Sequence, residues 1–97
     1  MSQLILTSEA VQDLARCRRF LFLKSPSVAK RADSVIADAL SLLKTTPEMG
    51  RPYRENPILR ELIIKFGNSG YLALYRYDPD RDAIHVLAFK HALEEDY

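Results

Sequence analysis

One cysteine, no tryptophan, three glycines, and no apolar run approaching the ~20 residues that cross a bilayer set the first limits on this chain of 97 residues. The lone thiol, Cys17, excludes an internal disulfide. Its place within a helical pattern reads as a small buried residue rather than a reactive one. Two histidines, His85 and His91, stand six residues apart on one predicted strand with no cysteine beside them, which is poor metal-ligand spacing. No metal and no cofactor are expected. The start, Met1-Ser2-Gln3-Leu4, lacks the basic residues and long apolar stretch of a secretory signal, so the chain reads as cytoplasmic, with no membrane partner. Charge of one sign is lacking too: 14 basic residues face 13 acidic ones, a net +1, less than a protein living on nucleic acid usually carries.

What is present is the composition of a globular protein, 47% hydrophobic and 28% charged, with length for one domain, residues 1–97, and a real core. Charge is clustered along the chain. Arg16, Arg18 and Arg19 sit together, Arg51, Arg54 and Arg60 precede a strand, and Asp78, Asp80, Asp82 and then Glu94-Glu95-Asp96 form acidic groups; each reads first as solvated surface.

The pattern predicts β-α-α-β-β-β, an α+β fold whose antiparallel sheet carries an N-terminal helix hairpin on one face. Gln3 to Leu6 is a short apolar strand. Thr7 or Ser8 then caps a helix whose Ala10, Leu14, Cys17 and Leu21 recur at helical spacing up to Lys24. Ser25-Pro26 starts a second helix, with proline at the position where its missing N–H costs nothing. Its buried stripe is Ala32, Val35, Ile36, Ala39, Leu40 and Leu43, and Thr46-Pro47 ends it. A proline-rich loop, residues 47–57, leads to strands Leu59–Phe66, Tyr71–Tyr77 and Ala83–Lys90.

Strict alternation along these strands assigns Leu62, Ile64, Phe66, Tyr71, Ala73, Tyr75, Tyr77, Ile84, Val86 and Ala88 to the face beneath the helices. Glu61, Ile63, Lys65, Leu72, Leu74, Arg76, His85, Leu87, Phe89 and His91 fall on the opposite face. Helices covering one side alone leave several large apolar residues uncovered, the mark of an interface; the alternative is that the tail or the long loop folds over them.

The element order, the loop Pro47-Glu48-Met49-Gly50-Arg51-Pro52, the run Leu59-Arg60-Glu61-Leu62 and the segment from Ser69-Gly70-Tyr71 to Tyr75-Arg76-Tyr77 resemble the RelE/ParE superfamily of toxins from bacterial type II toxin–antitoxin modules. The resemblance covers nearly the whole chain. It implies a small toxin neutralised by a cognate antitoxin that wraps it, and contact with operator DNA only through that antitoxin. Ile63, Leu72, Leu74, Leu87 and Phe89, with Arg51 at the rim, are the expected antitoxin-binding residues.

The superfamily divides into two chemistries. RelE-like members cleave mRNA in the ribosomal A site; ParE-like members inhibit DNA gyrase. A nuclease needs a group to take the 2′-hydroxyl proton, a cation for the charge gathering on the phosphate, and an acid for the leaving oxygen. Against the RelE-like set, Lys65 matches a strand lysine, Tyr97 a C-terminal tyrosine, and His91 stands in place of a C-terminal arginine. The departures are sharper. The arginine expected after Ser69-Gly70-Tyr71 is Leu72, and the second strand lysine is Ile63; losing the phosphate-stabilising charge is expected to cost several kcal/mol. Arg76 lies four residues on, ~13 Å at strand rise, too far for a simple exchange of position, and Glu94, Glu95 and Asp96 would repel phosphate. Tyr75-Arg76 and His91 resemble ParE-like features instead, which favours gyrase inhibition, with Arg60, Arg76, Lys90, His91 and Tyr97 as the expected target-binding residues. Two alternatives stay open: the mRNA nuclease, using Lys65, Arg76, His91 and Tyr97, and a non-toxic subunit that only binds antitoxin or regulates.

Overall fold

The computed structural model describes residues 1–94 and residue 97. Strand β1 (Gln3–Leu6) leads into helices α1 (Ser8–Lys24) and α2 (Pro26–Leu42), then β2 (Arg51–Pro52), β3 (Arg60–Phe66), β4 (Ser69–Asp78) and β5 (Ala83–His91). The helix boundaries follow from local chemistry. The Thr7 hydroxyl accepts the Ala10 N–H and caps α1. Ser25 serves both helices: its N–H donates to the Leu21 carbonyl at the end of α1, and its hydroxyl accepts from Val28 at the start of α2, so the hairpin turns on a single residue.

The five strands form one sheet in the order β1-β5-β4-β3-β2. Three pairings are antiparallel, as expected, and β1 adds an edge strand parallel to β5. The short β2, expected as loop, is a second addition; Arg51 and Pro52 pair with Glu61 and Arg60. At the β3–β4 turn, Gly70 has φ 129°, and a Cβ there would lie 2.1 Å from the Ile64 carbonyl oxygen, so only glycine fits.

The alternation predicted for β5 fails at its centre. Leu74 pairs with Ala88 but Tyr75 pairs with Val86, which makes Leu87 an extra residue, a β-bulge that reverses the faces beyond it. Ala88 therefore turns to the face away from the helices. Phe89 and His91, expected on that face, turn to the helix side, where Phe89 is fully buried, stacks on Tyr71 at 5.3 Å between ring centroids, and His91 meets the Tyr71 ring edge-on. The bulge is held by α1 and its cap: the Thr7 hydroxyl donates to the Val86 carbonyl, and the Asp13 carboxylate accepts the Phe89 N–H at 3.0 Å.

Under the helices, Tyr75, Phe89, Leu43, Ile84 and Val86 are the largest fully buried side chains. Cys17 is buried there as well, and burial pushes its thiol pKa up, which disfavours the reactive thiolate. The Tyr75 hydroxyl donates to the Pro47 carbonyl and accepts the Gly50 N–H, tying the proline-rich loop to the core. Tyr75→Phe leaves both partners without their bond and is expected to cost about 1–3 kcal/mol, read as a lower urea-unfolding midpoint at unchanged slope.

Candidate functional site

The face away from the helices is built by β3, β4 and β5, with Arg51 of β2 at its edge. Its centre is a carboxylate. Glu61 is almost fully buried, receives two hydrogen bonds from Arg51 at 2.9 and 2.6 Å, and accepts the Tyr97 hydroxyl. Burial alone would raise the Glu61 pKa, but the bonds from Tyr97 and Arg51 and the nearby charges of Arg51 and Lys90 outweigh it and hold the carboxyl below its ordinary value. Burial first, and then the bond to Glu61, push the Tyr97 phenol far above the usual tyrosine range. Tyr97 is thereby a neutral hydrogen-bond donor, unsuited to take a proton.

The tail reaches this place through a pinned turn. The Glu94 carboxylate accepts Arg16 at 2.9 and 3.0 Å and the His91 N–H at 3.0 Å, while Lys90 Nζ donates to the Glu94 carbonyl. The Tyr97 ring then packs edge-on against Tyr53, centroids 6.0 Å apart, with Lys90 Nζ 4.9 Å from its centre. Tyr97 thus lies over part of the open face, and Leu74 on that face is only 9% exposed. Ile63 remains 50% exposed and Leu72 and Leu87 are half-buried.

Among the expected antitoxin-binding residues, Ile63, Leu72, Leu74 and Arg51 share this face with the bulged Leu87 beside them, whereas Phe89 is removed from it by the bulge. The expected target-binding set divides. Arg76, Lys90 and Tyr97 are on the open side, but Arg60 pairs with Tyr75 on the other face and donates to the carbonyls of Glu48 and Gly50. His91 is also on the helix side, where Nε2 meets the Ser69 hydroxyl and Nδ1 accepts the Leu93 N–H. The nuclease set is likewise scattered: Lys65 lies opposite Gly70 and Arg76 opposite His85, six residues apart along β4, ~20 Å at strand rise. His85 and His91 occupy opposite faces and cannot share a metal ion. Glu95 and Asp96, expected to repel phosphate, lie outside the described residues. The link from Glu61 to Tyr97 was missed by sequence reasoning, since the residues stand 36 positions apart; the one signal was an acid placed on an otherwise apolar face.

Glu61→Gln tests this centre. Because the folded-state pKa is depressed, the carboxylate stabilises the fold above the unfolded value of about 4–4.5, and that contribution is lost as pH falls through the folded value. The variant is expected to lose about 1–3 kcal/mol at neutral pH and to close the gap with the wild type on acidification toward pH ~3, as followed by thermal melting.

A helix hairpin on one face of a five-stranded, mostly antiparallel sheet is a fold shared with solved structures from bacterial toxin–antitoxin systems. The model of the ParE toxin family of type II toxin–antitoxin systems, parDE, matches residues 4–96, and the chain belongs to that family. It is 35% identical over 94 residues to Toxin RelE3 of Caulobacter vibrioides, covering 97% of this chain and 98% of the relative. Toxin RelE1 of the same organism is 31% identical, with 94% of each chain covered. Among solved structures, the chromosomal ParDE system of P. aeruginosa superposes with a TM-score of 0.78 at 22% identity, covering 95% of this chain and 97% of that one. The E. coli RelBE complex gives 0.66 at 16%, covering 97% and 100%. At these identities the structural likeness shows the fold.

Proposed function

We propose that this toxin acts by inhibiting DNA gyrase and is neutralised by a cognate antitoxin laid over the open sheet face. The observation that carries the reading is the Glu61 carboxylate on that face, which takes up both Arg51 and the Tyr97 hydroxyl in one internal network. A cation and a phenol that a phosphate would need are thereby engaged with a carboxylate of the protein itself. The flanking positions Ile63 and Leu72 are apolar, Lys65 and Arg76 stand at opposite ends, and Tyr97 is held neutral, so no base and cation converge on one point. Gyrase inhibition asks for less: a surface that grips one conformation of a large enzyme more tightly than the others, with no catalytic group and no cofactor.

The antitoxin reading rests on Ile63, Leu72 and Leu87, an apolar strip still partly open with Tyr97 in place, with Arg51 and Arg76 at its rim to meet acidic side chains. Both solved relatives belong to toxin–antitoxin systems, which supports a partner of that kind. The second reading, ribosome-dependent mRNA cleavage, is favoured by the RelE names of the two curated relatives and by the exposed Lys65. Induction of the protein in a bacterium separates them. Gyrase inhibition is expected to raise an SOS reporter while translation continues at first; early translation arrest without SOS induction would favour cleavage, and unchanged growth would favour a non-toxic subunit.

A further inference from the structure

The hairpin tip carries a charge pattern that the sheet face does not use. Between Asp13 and Asp33 the chain has no acidic residue but six basic ones, Arg16, Arg18, Arg19, Lys24, Lys30 and Arg31, out of 14 in the whole protein. Two of the six form ion pairs, Arg16 with Glu94 and Arg18 with Asp33, and Lys24 Nζ lies 4.5 Å from the centre of the Phe20 ring. Arg19, Lys24, Lys30 and Arg31 are exposed and form no ion pair among the described residues. Beside these cations stand Phe20, Phe22 and Leu23, which are 62%, 52% and 79% exposed.

Neither property alone points to a partner, but their combination does. Phosphate recognition would use the cations and gain nothing from Leu23; a purely solvated tip would gain nothing from three large apolar side chains in water. An acidic segment with apolar side chains of its own satisfies both. We infer that the tip of the helix hairpin, residues 18–31, is a docking surface for an acidic, apolar segment of the toxin's target protein. The inference rests on the reading of this chain as a toxin with a protein target. The tip and Arg76 lie at opposite ends of the molecule, because α1 runs alongside β5 from Val86 toward Glu94 while Arg76 sits opposite His85 near the start of β5. The long dimension of the chain is 42 Å, short enough for a large target to hold both ends.

The test is a variant carrying R19E, F22S, L23S and K24E, compared with the wild type and with a charge-conserving R19K/K24R control. All three are expected to fold, the fourfold variant melting a few degrees lower because K24E removes the Lys24 contact with the Phe20 ring and puts an acid in the last turn of α1. On induction in a bacterium, the fourfold variant is expected to need more than tenfold more protein to arrest growth, and the control to match the wild type. Undiminished arrest by the fourfold variant overturns the inference, as does a wild type without effect on growth. Purified protein is also titrated against a labelled DNA duplex at about 50 and 200 mM salt, and its mass is followed by sedimentation. Tip-dependent duplex binding, or tip-dependent self-association, would assign the surface to another occupant and overturn the protein partner. A parallel supercoiling assay keeps the gyrase reading separate: arrest that depends on the tip while gyrase is untouched sinks that reading and leaves the docking surface standing.

Discussion

Phe89→Ala is expected to destabilise the protein by ~3–5 kcal/mol, the cost of emptying a fully buried aromatic site that cannot collapse. A domain of this size has a total stability of about 5–15 kcal/mol, so the variant should sit near the edge of unfolding at growth temperature. The expectation depends on the bulge at Leu87. Without it, Phe89 would lie on the open face, and its removal would cost no more than an exposed substitution. Ile63→Ala, at a half-exposed position of that face, provides the contrast and should stay within ~1 kcal/mol. Urea unfolding of the two variants side by side reads the difference, and a mild effect at Phe89 would mean that the faces of β5 have been wrongly assigned.

The second large effect is on toxicity. Arg76 is exposed and its side chain forms no ion pair among the described residues. Arg76→Ala is expected to leave stability within about 0.5 kcal/mol and to raise the concentration giving half-maximal gyrase inhibition about 30-fold, the equivalent of the ~2 kcal/mol that one anchoring arginine supplies at an interface. Deleting residues 92–97 is a less clean experiment than the strand pattern suggests. It removes the Arg16–Glu94 pair and the Tyr97 cover over Glu61, so lost toxicity could follow from a disturbed face rather than from a missing contact. The point substitution separates the two causes. Unaltered inhibition by Arg76→Ala would remove this residue from the target surface.

The particular residues show what a sequence discloses and what it withholds. Thr7 and Ser25-Pro26 announced both helix starts because capping is a local transaction between neighbours. The helical period of Ala10, Leu14, Cys17 and Leu21 correctly oriented α1 for the same reason. Face assignment in β3 and β4 followed from alternation, but β5 broke step at Leu87 with no glycine or proline to signal it. What fixes that bulge is Thr7 and Asp13, more than 70 residues away in sequence, and counting along one strand cannot see them. The candidate site suffered similarly. Glu61 and Leu72 could be placed on one face with Arg51 at its rim, but the buried carboxylate network depends on where Tyr97 lands, 36 residues from Glu61. The parallel pairing of β1 with β5 was hidden because a four-residue apolar strand carries no mark of its neighbour.

The proposed gyrase inhibition is tested most directly by plasmid supercoiling with purified DNA gyrase titrated with the purified protein. A gyrase inhibitor gives a concentration-dependent loss of supercoiling in the wild type, shifted to higher concentration by Arg76→Ala. Supercoiling that continues unchanged at saturating protein, alongside position-specific A-site cleavage of mRNA on programmed ribosomes that Lys65→Ala abolishes, would contradict it.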